Sequence, residues 1–164
     1  MEKRTKFNVD ADKEKRSYDG IVFDSELERN YYRDVILPQM ASGTIISCER
    51  QKCFVLQPAF KNNGKTVQAI TYKADFVLAF ADGTERVIDC KGYATPDAVL
   101  KKKMFLHVFP APDYLWMSYS ACDGGWLSYE ELQQKRKARK KLKNGLDKEN
   151  SDWKEKLRNR KRPT

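Results

Sequence analysis

The sequence has few of the residues that build zinc sites, secretion signals or membrane spans. It contains one histidine, and its four cysteines form no CxxC pair, so a zinc site is not expected. No run of 18 apolar residues occurs, and the opening stretch MEKRTKFNVDADKEKR is charged where a signal peptide needs an apolar segment. These absences predict a soluble, intracellular protein of the cytoplasm with no membrane partner. We expect the cysteines to be free thiols.

Positive charge is concentrated at one end of the chain. At 164 residues, the length favours one domain with appendages. The net charge is +9, and residues 134–164 hold 14 basic and 4 acidic residues, which leaves 18 basic and 19 acidic residues in the rest. The near-neutral body and cationic end predict a C-terminal extension that binds nucleic-acid phosphates. A solvated, weakly helical extension is the alternative interpretation.

Capping residues predict where the first two helices begin and end. The stretch from Glu26 to Ala41 follows a possible N-cap at Ser25, and Gly43 is a suitable stop. A second helix is expected after Thr95, because a proline follows it at the first helical position.

Alternating apolar residues predict the strands of a mixed sheet. They occur in TIISCER, KCFVLQP, TVQAITYKADFVLAF, TERVIDCK and DYLWMSYS, with a chain break at AFKNNGK and a turn at CDGGW. A third helix, SYEELQQKRKARKKLK, is expected to end at Asn144 and Gly145. The element order predicts an α/β fold in which helices flank a mixed central sheet, with a basic helical C-terminal extension.

The hairpin YKADFVLAFADGTERVIDCKG has polar residues that a purely structural hairpin does not need. Asp89 and Lys91 share one face of their strand, while the thiol of Cys90 points to the other. A three-residue ADG loop, with Gly83 in the left-handed conformation, sets Asp75 directly opposite Asp89. A two-residue loop sets Asp75 against Cys90 instead and separates the two carboxylates unless a bulge intervenes, so a shared site needs the longer loop or a bulge.

Two carboxylates on one face repel each other unless a cation lies between them. Mg²⁺, a hard ion that prefers oxygen ligands, fits this requirement, and Lys91 could hold a water or offset phosphate charge. Glu28 lies within the apolar stripe of the first helix, where a carboxylate needs a partner. The alternatives are a solvated hairpin with a Lys91 salt bridge, and a capping box between Ser25 and Glu28.

The segments SELE, AD and DCK, in this order, resemble the PD-(D/E)XK nuclease superfamily. More closely, YDGIVFDSELERNYY and ITYKADFVLAFADGTERVIDCKGYATPDAVLKKKMF look like a family of small phage-type, Holliday junction resolvase-like endonucleases. The resemblance covers about residues 18–110, with alanine at 74 in place of the superfamily's proline. The match to the family's glutamine-containing strand is loose, so Gln51 and Gln57 have no assigned role.

The resemblance implies a restriction-endonuclease-like αβββαβ core and hydrolysis of DNA with Mg²⁺, for which Mn²⁺ substitutes. It implies that Asp75, Asp89 and the Cys90 backbone carbonyl bind the metal, that Glu28 assists through water, and that Lys91 orients or activates the attacking water. The expected domains are a flexible lead-in at 1–17, a nuclease core at 18–129 and a basic helical extension at 130–164. A phage-encoded protein of this kind would act in the host cytoplasm.

The predicted partner is DNA, with a branched substrate and a homodimer expected because paired nicks need two sites. The resemblance suggests phosphate contacts by Lys101 and Lys103, and the charge of the extension suggests contacts by Lys135, Arg136, Arg139 and Lys140. Two alternatives stay open. One is a sequence-selective or transposon-end nuclease of the same superfamily, and the other is a non-catalytic DNA-binding protein that keeps the fold.

Overall fold

The computed structural model describes residues 12–160, except for the side chains of 146, 148–152 and 154–160. The helices are α1 (Glu26–Tyr31), α2 (Leu37–Ala41), α3 (Pro96–Val108) and α4 (Tyr129–Arg160), with a π-helical turn at Tyr32–Ile36 and a 3₁₀ turn at Ala121–Asp123. The strands are β1 (Ser17–Tyr18), β2 (Ile21–Val22), β3 (Ile45–Arg50), β4 (Cys53–Gln57), β5 (Phe60–Asn62), β6 (Lys65–Val67), β7 (Ile70–Lys73), β8 (Phe76–Phe80), β9 (Glu85–Cys90), β10 (Asp113–Ser120) and β11 (Gly125–Ser128). The predicted lead-in lies mostly outside the described residues, and its described end forms a turn and the start of β1.

A five-stranded mixed sheet forms the centre of the protein, in the order β11-β10-β9-β8-β3. Strands β9 and β10 are parallel, because α3 connects them, and the other neighbours are antiparallel. The expected mixed α/β architecture is therefore confirmed at this level.

Two strand pairs continue one another as a bent ribbon. Strand β3 pairs with β8, and β4 pairs with β7, in the same antiparallel register. The pairs are linked across the bend, where the Gln51 N–H donates to the Asp75 carbonyl at 3.1 Å and the Ala74 N–H to the Lys52 carbonyl at 2.9 Å. Gln51 has a φ of 57°, an uncommon value for a residue other than glycine. The ribbon thus bends where an aspartate and a glutamine face each other.

The sheet is buried on both faces. Alternate residues of β8 and β9 point to opposite sides, so each face has its own apolar cluster. One cluster lies beside α1 and α2 and contains Phe23, Tyr31, Ile36, Ile45, Phe76, Leu78, Phe80, Ile88 and Cys90. The other lies beside α3 and contains Leu56, Tyr72, Ala74, Val77, Val87, Phe105, Tyr114 and Trp116. Polar side chains inside such a sheet need partners of their own.

The predicted caps are confirmed. Ser25 precedes α1, and its hydroxyl accepts a hydrogen bond from the Glu28 N–H at 3.1 Å. Thr95 does the same for the Ala98 N–H of α3 at 3.2 Å. Gly43 has a φ of 76° and lies just beyond α2, as expected for a helix stop.

The predicted end of the last helix at Asn144 and Gly145 is wrong. Helix α4 continues through both residues to Arg160. A glycine inside a helix costs only about 1 kcal/mol relative to alanine, so a single glycine without a following breaker does not end a helix. In the described part of the chain, no helix combines the length and apolar character needed to cross a membrane.

Two further strand features were missed by the sequence analysis. The segment AFKNNGK is a hairpin, β5–β6, whose Asn63 and Gly64 both have positive φ. The residues after the CDGG turn form β11, which pairs antiparallel with β10. An Asn-Gly turn is a strong hairpin signal, but the flanking segments are exposed and lack clear alternation.

Candidate functional site

The turn of the β8–β9 hairpin places Asp75 opposite Asp89. Gly83 has a φ of 84°, and the Phe80 N–H donates to the Thr84 carbonyl at 2.9 Å, which closes a three-residue loop. The resulting register continues to the pairing of Phe76 with Ile88, so the next pair outward is Asp75 and Asp89. The longer of the two loops considered from the sequence is the one that forms.

Gln51 extends this row of residues across the sheet. It lies opposite Asp75 at the bend of the ribbon, and its side-chain Nε2 donates to Glu28 Oε2 at 3.3 Å. Its Oε1 is buried and has no hydrogen-bond partner among the described residues. An oxygen of this kind can accept a hydrogen bond or bind a hard cation.

Glu28 reaches the site from α1. Its side chain points inward, as predicted, and the residue is only 5% exposed, whereas Glu26 is exposed. The Ser25 hydroxyl donates to Glu28 Oε1 at 2.7 Å, so the capping serine also orients the carboxylate. The cap and the inward placement therefore occur together.

Asp89 is the most enclosed carboxylate of the site, at 2% exposed. Lys91 Nζ lies 2.8 Å from its Oδ1 atom. On the other side, the Tyr72 hydroxyl donates to Oδ2 at 2.8 Å, and the Tyr114 hydroxyl lies 3.5 Å from the same atom. Trp116 Nε1 in turn donates to the Tyr114 hydroxyl at 2.7 Å.

Three carboxylates share this region with one lysine. Their burial and mutual repulsion raise the pKa values of Asp75 and Glu28. Burial, followed by the charges of Asp89 and Glu28, raises the pKa of Asp75 to about 9. Burial also raises the pKa of Glu28. Burial alone would lower the pKa of Lys91, but the charge of Asp89 and its hydrogen bond raise it, so this lysine stays protonated at neutral pH. Asp75 thus holds a proton at neutral pH that a divalent cation could replace.

Cys90 contributes its backbone to the site and its thiol to the opposite core. The thiol packs in the cluster beside α1, as the strand alternation predicted. The Cys90 N–H donates to Asp75 Oδ2 at 2.7 Å and so fixes that carboxylate against the strand. Burial, together with the charge of Asp75, raises the pKa of this thiol well above its ordinary value. The thiol is therefore a packing group.

The donor set suits a hard cation better than a soft one. Among the side chains that the structure describes, no three from His, Cys, Asp or Glu are grouped as a formed metal cage. Mg²⁺ does not need one, because it is usually held by one or two carboxylates and keeps several waters. The carboxylates of Asp75 and Asp89, that of Glu28 close enough to interact with both, and the unpartnered Gln51 oxygen fit that mode of binding.

The two lysines proposed on α3 differ in their surroundings. Lys101 Nζ lies 3.7 Å from Asp97 Oδ2, one helical turn away, and is half-buried. Lys103 is exposed. Lys102 lies between them and is half-buried, with Nζ 4.3 Å from the centroid of the Trp116 ring. Of the three, Lys103 is the most available to a ligand.

The four basic residues predicted on α4 divide into two pairs. Arg139 Nη1 lies 2.7 Å from Asp123 Oδ1, and Lys135 Nζ donates to the Asp123 carbonyl at 3.2 Å. These two hold α4 against the turn after β10. Arg136 and Lys140 are exposed and have no ion-pair partner in the described part of the chain.

Tyr72 and Gln51 were not assigned to the site from the sequence. Tyr72 lies three residues before Asp75, but it belongs to a separate strand whose pairing was not predicted. Gln57, also without an assigned role, ends β4 and lies further along the ribbon than Gln51. A polar residue opposite Asp75 becomes recognisable only when the register of the ribbon is known.

The fold and the site together define a mixed α/β protein with a buried acidic cluster at the bend of its sheet. The chain matches the model of a family described as a protein of unknown function, DUF1064, over residues 4–122. It belongs to that family, because the match spans more than half of the chain. No curated protein matches the chain.

Proposed function

We propose that this protein is a metal-dependent DNA endonuclease of the PD-(D/E)XK type. One observation supports this above all: Glu28 of α1, Asp75 of the bend before β8 and Asp89 of β9 converge beside Lys91. A fold that needed only stability would not bury Glu28 and Asp89 and half-bury Asp75 beside one base, since unpaired buried charge is costly.

The topology is consistent with the proposal. The elements α1, β3, β8, β9, α3 and β10 follow one another in the order α, three strands, α, strand, and only the last two strands are parallel. That order is the one expected of the restriction-endonuclease-like αβββαβ core that the resemblance implies. The β4–β7 part of the ribbon lengthens its first two strands.

Asp75 and Asp89, with the Cys90 carbonyl, are the proposed ligands of Mg²⁺ or Mn²⁺. Glu28 would assist through water, and the free oxygen of Gln51 adds a further donor. When bound there, such an ion lowers the pKa of a water and offsets the charge that grows on a phosphate. Lys91 is protonated beside Asp89, which favours a role in orienting water or phosphate over a role as general base.

DNA is the proposed partner, with the branched substrate and the homodimer taken from the resemblance alone. Lys103 and the exposed pair on α4, Arg136 and Lys140, are available for phosphates. Lys135 and Arg139 also bring positive charge, but both already contact Asp123. Contacts of this kind add affinity without sequence choice.

The difference between the two pairs of basic residues on α4 leads to a prediction about the salt dependence of DNA binding. The double variant Arg136→Ala/Lys140→Ala should bind duplex DNA in EDTA with a log-log salt slope less negative by about 2, since each lost phosphate contact removes roughly 0.9. Arg139→Gln should lower the melting temperature and leave the slope unchanged, because its partner is Asp123. Fluorescence anisotropy across a salt series measures both.

The matched control for this prediction is Lys61→Ala/Lys65→Ala, on the exposed β5–β6 hairpin. It removes the same formal charge far along the chain from α4. An equal change of slope in the control would mean that only total charge matters, and that α4 makes no specific phosphate contact.

Cleavage assays test the proposed function. The full chain is incubated with four-way junction, flapped and linear duplex DNA in Mg²⁺, Mn²⁺ or EDTA. We expect cutting in either metal, none in EDTA and a preference for the junction. Preferential cutting of one linear sequence would favour the sequence-selective or transposon-end alternative. Binding without cutting in both metals would favour a non-catalytic DNA-binding protein and contradict the proposal.

A further inference from the structure

We propose that Tyr72 is a positioning residue that fixes the Asp89 carboxylate so that its Oδ1 atom is the one available to a metal ion. This inference rests on the proposed function. It adds Tyr72 of β7, a residue with no role in the sequence motif, and it assigns different roles to the two oxygens of Asp89.

The hydrogen bonds around Asp89 are unequal. Oδ2 accepts from the Tyr72 hydroxyl at 2.8 Å and has the Tyr114 hydroxyl at 3.5 Å. Oδ1 has Lys91 Nζ at 2.8 Å. An ionised carboxylate oxygen has about two lone-pair directions. The two phenols lie against Oδ2 and Lys91 lies against Oδ1, so Oδ1 has fewer donors around it and is the oxygen left for a metal ion.

Packing holds the Tyr72 hydroxyl in place. The residue is 7% exposed, and β7 pairs it with Phe54 of β4. Its ring centroid lies 5.5 Å from that of Phe105 and 5.5 Å from that of Tyr114, both edge-to-face. Turning a ring enclosed in this way to another rotamer would break these contacts. Its hydroxyl is therefore a fixed donor.

The second phenol is arranged to support the first. Tyr114 accepts a hydrogen bond from Trp116 Nε1, which leaves its proton to point towards Asp89. At 3.5 Å this contact is at the limit of a hydrogen bond, so Tyr72 provides the stronger restraint. Without Tyr72, the buried Oδ2 would lose its short hydrogen bond, and the carboxylate would be free to turn towards Asp75.

The test is the Mn²⁺ affinity of the DNA-free protein, measured by calorimetry for the wild type and for Tyr72→Phe. Phenylalanine keeps the ring and its packing. We expect the dissociation constant to rise about 10-fold, the lower end of the range seen when a partner of a metal ligand is removed. The Mg²⁺ concentration that gives half-maximal cleavage should rise by the same factor, while the maximal rate changes much less.

The control is Tyr31→Phe. Tyr31 is also buried, but it lies in the apolar cluster on the other face of the sheet. Its variant should bind Mn²⁺ as the wild type does, and the melting temperatures in EDTA show whether both variants are folded. If Tyr72→Phe lowers the maximal cleavage rate at every metal concentration and does not weaken metal binding, Tyr72 has a structural role. That result would overturn the inference.

The outcomes separate the two proposals. If wild type and Tyr72→Phe bind Mn²⁺ equally tightly, Tyr72 does not position Asp89, and the proposed function stands. If the folded wild type binds no Mn²⁺, the proposed function fails and the inference fails with it.

Discussion

Replacing Asp89 with asparagine is expected to lower the rate of DNA cleavage by at least about 1000-fold, because metal-assisted charge stabilisation is worth several kcal/mol. Asparagine keeps the size of the side chain and one acceptor oxygen, so Tyr72 retains a partner. It removes the negative charge that faces Lys91 Nζ at 2.8 Å. Single-turnover cleavage of junction DNA in Mg²⁺ measures the loss.

The matched control is Asp113→Asn. Asp113 begins the neighbouring strand β10 and is exposed, and its one ion pair among the described residues is with Arg86, at 3.5 Å. This variant should cleave at the wild-type rate. If folded Asp89→Asn cleaves within about 10-fold of the wild type, its carboxylate is not part of the reaction.

Replacing Asp75 with asparagine is expected to stabilise the metal-free protein at pH 8. Burial and the neighbouring carboxylates raise the pKa of Asp75 to about 9, so the folded protein resists its ionisation. Asparagine carries no charge, and its oxygen can still accept from the Cys90 N–H. We expect a gain of at least about 2 kcal/mol, since one unit of pKa shift corresponds to about 1.4 kcal/mol. The melting temperature should rise by roughly 5 °C.

The sign of the pH dependence follows from the direction of this shift. In the unfolded chain Asp75 ionises near its ordinary pKa of 3.8, and in the folded protein near 9. The folded state therefore holds one more proton between these values, and stability in EDTA should fall as pH rises through this window. Glu28, whose pKa is also raised, adds to the same trend. Thermal melts from pH 4 to 9 should be flatter for Asp75→Asn.

A control on the same hairpin should behave differently. Hydrogen bonds from Thr84 lower the pKa of Asp82, which is exposed in the turn. The stability that the ionised Asp82 contributes is therefore present above its ordinary pKa and is lost as pH falls. Asp82→Asn should not stabilise the protein at pH 8. Added Mn²⁺ should raise the melting temperature of the wild type and not that of Asp75→Asn, because the ionised carboxylate is the ligand. If Mn²⁺ raises the melting temperature of the wild type and of Asp75→Asn equally, the ion binds at another position.

Local chemistry explains why the sequence predicted a hairpin turn at ADG but left its length open. Gly83 in the left-handed conformation suits a two-residue and a three-residue loop, and the loop length determines which residues face each other. The opposition of Asp75 and Asp89 follows from counting only once the three-residue loop is known. The caps at Ser25 and Thr95 are equally local, because each serves an amide three residues away.

Long-range contacts explain what the sequence did not reveal. The bend at Gln51 depends on a backbone hydrogen bond to Asp75, which lies 24 residues later in the chain. No feature of the neighbouring sequence predicts it. In the sequence, Tyr72 has the pattern of an ordinary apolar strand residue. Its role becomes visible only in the structure, where its hydroxyl contacts Asp89. Helix α4 continues past Gly145 because the weak local preference against helix is not reinforced by a second breaker.

Anomalous diffraction from crystals soaked in Mn²⁺ tests most directly whether Asp75 and Asp89 share a metal ion. We expect one peak within about 2.0–2.4 Å of a carboxylate oxygen of each residue, in the range of hard-cation bonds to oxygen. The same peak should be absent from crystals of Asp75→Asn. A peak at another position would contradict a shared site and with it the proposed chemistry. The absence of a peak, with the protein still folded at high Mn²⁺, would contradict them as well.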